Sequence, residues 1–277
     1  MNVWEPVEIP LNQPLSWAIG PWRLWLERTA NEWHLATRLA PDESALAAAE
    51  PAAKPADLEW RRWMCGDDAR TVCLAPVMPD RPTVVRPDGH LRILPGHDAL
   101  FFVSIPVWAR VVAPQAAGAR SPGLTGLTSL IGPNAPILLE EPTVILSRTW
   151  FGDVSAGELC YALKTRARRQ IAAEQVSPHQ AICPLRVRNA SMESFDFRRL
   201  CLRVEHLRIY EGQGCLWTNG VALTFTGQDR SSRANYESGA PAVEGVGAMI
   251  ADCRSPVAKS VMKTSFEQLK TFVGMGF

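Results

Sequence analysis

The segment from Pro142 to Gly227 constrains the fold more than any other part of this chain of 277 residues. Short runs with apolar side chains at every second position follow one another, as where Leu185 and Val187 flank Arg186. A period of two is typical of a half-buried β-strand, and almost no helical pattern separates the runs. The sequence therefore predicts a mainly β protein, an antiparallel β-sandwich of jelly-roll-like form.

The buried parity changes twice in this segment, first within Phe197–Leu200 and again within Val204–Leu207. A strand cannot move its apolar side chains to the other face without an extra residue. We therefore expect bulges or bends near Arg198 and Glu205.

Two hairpins are predicted earlier in the chain. The alternating run that begins at Trp22 is repeated from Trp33 after a polar turn. Further on, Pro87-Asp88-Gly89 separates two strand-like runs, and Asp-Gly between such runs is a strong hairpin signal because both residues tolerate positive φ.

Between these blocks, residues 114–140 are rich in Gly, Ala, Ser and Pro, which is typical of a long loop or linker. We therefore expect two packed β subdomains, an N-terminal one over residues 1–113 and a C-terminal sandwich over residues 141–250.

The end of the chain changes character. Apolar residues recur there at helical spacing, namely Val257, Val261, Met262, Phe266, Leu269 and Val273. Ser255 suits an N-cap, Pro256 the first turn and Gly274 the C-terminal side of a helix. The sequence predicts a C-terminal α-helix over residues 255–273.

Composition narrows the cellular setting. The net charge of +1 gives no global field for nucleic acid or an anionic membrane, so neither is expected as a partner. The first residues lack the basic and apolar pattern of a signal peptide, and no stretch is apolar enough to cross a membrane as a helix. Seven cysteines without a spaced framework favour reduced thiols and a cytoplasmic location.

Three polar residues near the second hairpin, His90, His97 and Asp98, are the candidates for metal ligands. Their spacing matches no defined metal-site pattern, and single histidines near turns are more often solvated or hydrogen-bonded. No phosphate loop or dinucleotide fingerprint is present in the sequence, and we expect no cofactor.

Asp153 and Glu158 flank a predicted turn and are the candidates for a catalytic acid pair, as in hydrolases that act on carbohydrates. They fit the polar face of an exposed turn equally well. Cys160 follows in a strand with no histidine beside it in sequence, which favours a buried apolar thiol over a nucleophile.

A concentration of basic residues follows this turn, and its candidates for anion binding are Arg166, Arg168, Arg186 and Arg188. If neighbouring strands place these residues on one outer face, that face suits a phosphate-bearing partner. Arginine alternating with apolar residues is also what the solvent face of any sheet requires.

The chain contains ten tryptophans and three tyrosines, which is an unusual ratio. The pattern places Trp22, Trp33 and Trp150 at core positions. Trp25 lies on the opposite parity from Trp22, so it is the candidate for an exposed residue in contact with a partner.

Three phrases of the sequence, TWFGDVSAGELCYALKT, IGPWRLWLER and EWHLA, resemble a prokaryotic family labelled only as a domain of unknown function. The resemblance implies a bacterial or archaeal cytosolic protein and transfers no catalytic residue. The missing catalytic signatures favour a non-enzymatic β-sandwich protein that works through protein–protein contacts or self-association, as a subunit of an assembly. The alternatives are a hydrolase that uses the acidic pair and a module that binds anions or nucleic acid on an arginine-rich face.

Overall fold

The structure is a computed structural model that describes residues 3–41, 45–65, 70–113, 135–155, 157–171, 176–227, 232–256, 261–263 and 266–267. Within these ranges almost all regular structure is β-strand, with one short 3-10 turn at Val204–His206. The prediction of a mainly β protein is therefore confirmed.

Twenty-four strands lie in the described ranges. The first eight are β1 (Val7–Glu8), β2 (Leu15–Gly20), β3 (Trp22–Arg28), β4 (Glu32–Leu39), β5 (Ala45–Pro51), β6 (Arg61–Met64), β7 (Thr71–Val77) and β8 (Thr83–Val85). The next eight are β9 (Leu91–Ile93), β10 (Asp98–Pro106), β11 (Trp108–Val112), β12 (Ile137–Pro142), β13 (Ser147–Phe151), β14 (Glu158–Ala162), β15 (Gln180–Asn189) and β16 (Phe195–Phe197). The last eight are β17 (Arg199–Leu202), β18 (Ile209–Glu211), β19 (Leu216–Thr218), β20 (Val221–Phe225), β21 (Ser232–Tyr236), β22 (Met249–Ala251), β23 (Val261–Lys263) and β24 (Phe266–Glu267).

These strands form five sheets. The largest has the order β22-β18-β19-β15-β20-β21-β23, and β10 pairs with the other edge of β15. A second sheet has the order β5-β2-β3-β4-β6, and a third the order β1-β7-β11-β12. The fourth is the pair β16-β9, and the fifth has the order β13-β14-β8-β17-β24. We call the fifth sheet the β8 sheet, after its central strand.

One apolar core receives side chains from all five sheets. Val72, Val187, Leu200, Phe197 and Trp22 each represent one sheet in the same buried cluster. Burial of this much aliphatic and aromatic surface is the main favourable contribution to folding. The expectation that Trp22 is a core residue is correct, since its side chain is fully buried.

The hairpin predicted from Trp22 is confirmed, because β3 and β4 pair antiparallel over their whole length. The hairpin predicted around Pro87-Asp88-Gly89 is wrong. β8 pairs with β14 and β17, whereas β9 pairs with β16. All three residues of β8 are buried, which suits a central strand with partners on both edges. After Val85 the chain does not turn back on itself but continues with Pro87 paired to Ala167.

The bends predicted near Arg198 and Glu205 are confirmed. β16 ends at Phe197 and β17 starts at Arg199 in a different sheet, and the 3-10 turn contains Glu205. Each break lets the following strand bury the opposite parity.

The predicted C-terminal helix over residues 255–273 is wrong. The described residues of this part include two strands instead, β23 paired with β21 and β24 paired with β17. Both partner strands would otherwise end their sheets with unpaired backbone groups, which the tail strands satisfy. Residues 257–260, 264–265 and 268–273 of the predicted helix lie outside the described ranges.

The division into two β subdomains stays a prediction. Residues 114–134 of the predicted linker lie outside the described ranges, and β12 starts at Ile137. Strand pairs join the two sides of the linker, as where β10 pairs with β15 over nine residues. Within the described ranges, no helix is long and apolar enough to cross a membrane.

Candidate functional site

The β8 sheet brings basic residues from distant segments into one row. β14 runs parallel to β8, with Ala162 opposite Val84. The backbone N–H of Leu163 donates to the carbonyl oxygen of Val84 at 3.2 Å, which continues the pairing beyond the strands. Farther along, the register shifts by two residues. Pro87 lies opposite Ala167, and the backbone N–H of Ala167 donates to the carbonyl oxygen of Arg86 at 2.8 Å, so the segment that holds Lys164 and Arg166 runs beside Arg86.

A further basic residue lies on the other side of Arg86. β17 runs antiparallel to β8 with Leu200 opposite Val85, so the register continues with Arg199 beside Arg86. The Arg199 guanidinium donates to the carbonyl oxygen of Trp150 at 3.2 Å and lies 5.8 Å from the ring centre of Phe151. Its position is therefore fixed by the β13 end of the sheet.

These residues line a cavity of about 360 Å³, the cationic cavity. Its lining comprises Val84, Arg86, Thr149, Ala162, Leu163, Lys164, Arg166 and Arg199. The lining therefore holds four cationic side chains and one hydroxyl, and no carboxylate.

Three of the cations have no opposite charge beside them in the part of the chain that the structure describes. Arg86, Lys164 and Arg166 are exposed, and no salt bridge joins them to a carboxylate among the described residues. Like charges on neighbouring strands destabilise a sheet. An anion bound between them would remove this repulsion, since it would supply the missing opposite charge.

Val84, which lines the cationic cavity, also belongs to a small apolar cluster. Val84 packs there with Phe151, Cys160 and Cys201. The two Sγ atoms are 3.8 Å apart, and their hydrogen bond together with burial raises the pKa of Cys201. Because β8 separates the two strands, their backbones are about 9.5 Å apart, beyond the Cα distance of roughly 4.4–6.8 Å that a disulfide allows. The cluster therefore holds two buried free thiols next to a residue of the cavity lining.

A second cavity, the apolar cavity, also measures about 360 Å³ and shares Ala162, Leu163 and Lys164 with the first. Its remaining lining is Pro21, Leu39, Pro41, Pro106, Val144, Ile145, Leu146, Ser147, Thr165, Ser177, His179 and Gln180. Volumes of about 300–1,000 Å³ are typical of small-molecule sites.

His179 contributes the imidazole of the apolar cavity. Burial lowers the pKa of His179, so the ring is neutral at neutral pH. Its Nδ1 is buried without a hydrogen-bond partner among the described residues. Gly20, at φ +59°, lies against the ring, and a Cβ at this position would be 2.1 Å from Nδ1. The glycine therefore provides the space that the imidazole occupies.

Comparison with known proteins places the chain in a family. Residues 3–272 match the family described as Protein of unknown function (DUF432). The chain belongs to this family. No curated protein and no solved structure matches it. The resemblance seen in the sequence is thus confirmed, and the family brings no assigned activity.

In this DUF432 chain, Asp153 and Glu158 have separate surroundings. The Glu158 carboxylate accepts a hydrogen bond from the buried guanidinium of Arg203 in an ion pair. Asp153 is exposed in the turn, where its carbonyl oxygen accepts from the N–H of Gly157 at 2.6 Å and from the indole N–H of Trp150 at 3.1 Å. The contacts of the described residues therefore do not join the two carboxylates, and their catalytic role stays a prediction.

The candidate metal ligands each have another neighbour. His90 Nε2 lies 3.1 Å from Asp196 Oδ1, and His97 Nδ1 lies 2.9 Å from the carbonyl oxygen of Pro95. Asp98 forms an ion pair with Arg186 at 2.6 Å. The described part of the chain contains no group of three or more His, Cys, Asp or Glu residues that could hold a metal ion.

The candidate anion-binding arginines divide between two surfaces. Arg168, Arg186 and Arg188 share the outer face of the largest sheet, because they are the register partners of alternate residues of β10. Asp98 lies among them and neutralises Arg186. Arg166 lies apart from this face, in the cationic cavity.

The structure separates Trp25 from Trp22 in burial, as their opposite parity predicts. Trp25 is half-buried, with the Arg38 guanidinium 5.9 Å from its ring centre, whereas Trp22 is fully buried. A contact of Trp25 with a partner stays a prediction. Trp150 was expected in the core, which is wrong, since its side chain is 47% exposed at the β13 edge of the β8 sheet. The edge strand buries only the face toward Phe151, and Trp150 is on the other parity.

Sequence reasoning missed Arg86 and His179 as site residues. Arg86 gains its neighbours only through the parallel pairing of β8 with β14, which no local pattern encodes. The one available signal for His179 is the Gly20 that makes room for it, and that contact is also long-range.

Proposed function

We propose that this protein binds a small molecule that carries a phosphate group, held in the cationic cavity. One observation carries the proposal, namely the row of exposed cations at Arg86, Lys164 and Arg166 with no salt bridge to a carboxylate among the described residues. Phosphate supplies up to two negative charges and several acceptor oxygens, and it is the anion that clusters of arginine and lysine recognise best. The hydroxyl of Thr149 adds a neutral donor to the lining.

Binding is favoured over catalysis by the lining itself. The cationic cavity presents cations and one hydroxyl, and its lining among the described residues lacks the carboxylate or imidazole that most often serves as a general base. A concave cavity also suits a small molecule better than the extended strand of a nucleic acid, which needs a long basic groove.

The test is calorimetric titration with inorganic phosphate and pyrophosphate at low salt. We expect Lys164→Gln and Arg166→Gln each to weaken binding by about tenfold, the lower end for a hydrogen bond between charged groups that are partly open to water. Arg148→Gln is the matched control, because Arg148 is an exposed arginine of β13 outside both cavities.

We expect the control variant to bind as tightly as the unchanged protein. Binding that is absent, or that Lys164→Gln and Arg166→Gln leave as strong as before, would overturn the proposal. Equal weakening by all three variants would also overturn it, because that result indicates a diffuse charge effect instead of a site.

Protein–protein contact, including self-association, is the second candidate function. Trp150 and Leu159 are opposite each other in β13 and β14, and both are large exposed apolar side chains. Val154, 94% exposed, lies in the turn between these strands. Sedimentation analysis at several concentrations tests self-association, and Trp150→Ser should shift any dimer toward the monomer.

Three broader proposals accompany this function. The shared apolar core of all five sheets supports packed β layers of sandwich type, with two β subdomains. The seven free cysteines support a cytoplasmic location. A prokaryotic source rests on the sequence resemblance alone.

A further inference from the structure

The two cavities adjoin each other along Ala162, Leu163 and Lys164, which line both. Ser147 lies opposite Ala162 in the register of β13 and β14, and Thr149 is two residues along the same strand. Ser147 lines the apolar cavity and Thr149 the cationic one. Ser147 and Thr149 have the same parity, so they lie on one face of the β8 sheet. This face is therefore continuous between the apolar cavity and the cationic cavity.

The larger part of the lining of the apolar cavity is aliphatic, with Leu39, Pro106, Val144 and Leu146 as typical members. Among the described residues the lining contains no Phe, Tyr or Trp, and its polar members are Ser147, Lys164, Thr165, Ser177, His179 and Gln180. A nucleobase or sugar ring is usually held by stacking on such aromatic side chains. An aliphatic lining suits a saturated or branched hydrocarbon chain, which needs dispersion contacts and removal from water.

Two further features of the apolar cavity suit an apolar occupant. Ile145, one of its lining residues, is 66% exposed, and a bound chain would bury part of this apolar surface. His179 is neutral, so the cavity carries no buried charge that would oppose an apolar occupant.

We infer that the ligand is an amphiphilic phosphate, with its phosphate between Arg86, Lys164 and Arg166 and a single aliphatic chain in the apolar cavity. This inference rests on the proposed phosphate binding and adds the class of molecule. Lys164 is the residue common to both cavities, and it marks the junction between head and chain. Its four-carbon stem can cover apolar surface while its ammonium group reaches the phosphate.

The experiment is calorimetric titration of the unchanged protein with n-alkyl phosphates from methyl to octyl, below the concentrations at which they form micelles. Each added methylene should tighten binding by up to about fourfold until the cavity is full. n-Octanol, which lacks the phosphate, should bind far more weakly than octyl phosphate.

One variant distinguishes binding of the aliphatic chain from binding of the phosphate. Ser147→Phe places a ring in the apolar cavity and should abolish the dependence on chain length while methyl phosphate still binds. Ser155→Phe is the matched control, because Ser155 is exposed in the turn after β13 and lines neither cavity. It should keep the full dependence on chain length.

The outcomes separate the two proposals. If all alkyl phosphates bind the unchanged protein with one affinity, the inferred chain site is wrong and phosphate binding stands. If octanol binds as tightly as octyl phosphate, the link between the two cavities is wrong. If no phosphate binds at all, the proposed function itself is wrong, and the inference is lost with it.

Discussion

Neutralising Lys164 should stabilise the protein when no anion is bound. Lys164 and Arg86 line the same cavity from neighbouring segments, and both side chains are exposed without a salt bridge to a carboxylate among the described residues. Like charges in this arrangement cost about 0.2–1 kcal/mol. Lys164→Gln should therefore raise the free energy of unfolding by about 0.2–1 kcal/mol at low salt.

Added phosphate should reverse which of the two proteins, the unchanged one or Lys164→Gln, is the more stable. A ligand that binds only the folded state adds about 2.7 kcal/mol at a concentration of about 100 times its Kd. The unchanged protein gains this stabilisation from bound phosphate, whereas the Lys164→Gln variant binds phosphate more weakly and is stabilised less. The variant is thus expected to be the more stable protein without phosphate and the less stable one with it.

The assay is equilibrium unfolding in urea, an uncharged denaturant that leaves the ionic strength free to vary. The Debye length falls from about 30 Å at 0.01 M salt to about 3 Å at 1 M, so the stabilisation by Lys164→Gln should disappear at high salt. Arg148→Gln should show less effect, since Arg148 lies opposite Tyr161 and not opposite a cation. A variant that is destabilised at low salt, or a difference that salt does not change, would refute the idea that Lys164 is under repulsion.

Three further predictions concern the surroundings of the two cavities. Gly20→Ala should lower the free energy of unfolding by more than Gly89→Ala in urea unfolding, because both positions have positive φ but only at Gly20 does a Cβ meet His179, at 2.1 Å; equal losses would contradict this. Burial lowers the pKa of His179, so on acidification the imidazole is protonated in the unfolded chain before it is protonated in the folded protein. The free energy of unfolding should therefore fall as the pH drops below about 6.5. Unfolding series from pH 7.5 to 5.5 test this, and His179→Gln should remove the effect. Mild oxidation should leave Cys160 and Cys201 as free thiols, since β8 separates their strands, and a mass shift that reveals a disulfide between them would show that the sheet opens.

Much of the fold follows from local sequence pattern. Alternating parity predicts the strands around Leu185 and the hairpin that starts at Trp22, and the two parity changes predict the bends at Arg198 and Glu205. These predictions succeed because each depends on which face of one strand is apolar, a property that residues close in sequence determine.

The tail and the site depend on distant partners, which explains why sequence reasoning failed there. The residues from Val261 to Lys263 fit a helical stripe, but β21 offers them an unpaired edge, and the backbone pairs with it. Arg86 follows two valines and carries no local signal of a site, since its basic neighbours come from the segment that follows β14 and from β17. Parity identified Arg166 as an anion-binding candidate but placed it with arginines that lie on another sheet.

The three-residue strand β8 has a consequence for how the molecule is made. It is synthesised long before β14 and β17, yet it has a place in the sheet only between them. Contacts between segments so distant in sequence form late, because the intervening chain must first be ordered. A nascent chain that ends before Arg199 therefore lacks one wall of the cationic cavity, so binding of a ligand there would report that β8, β14 and β17 have come together.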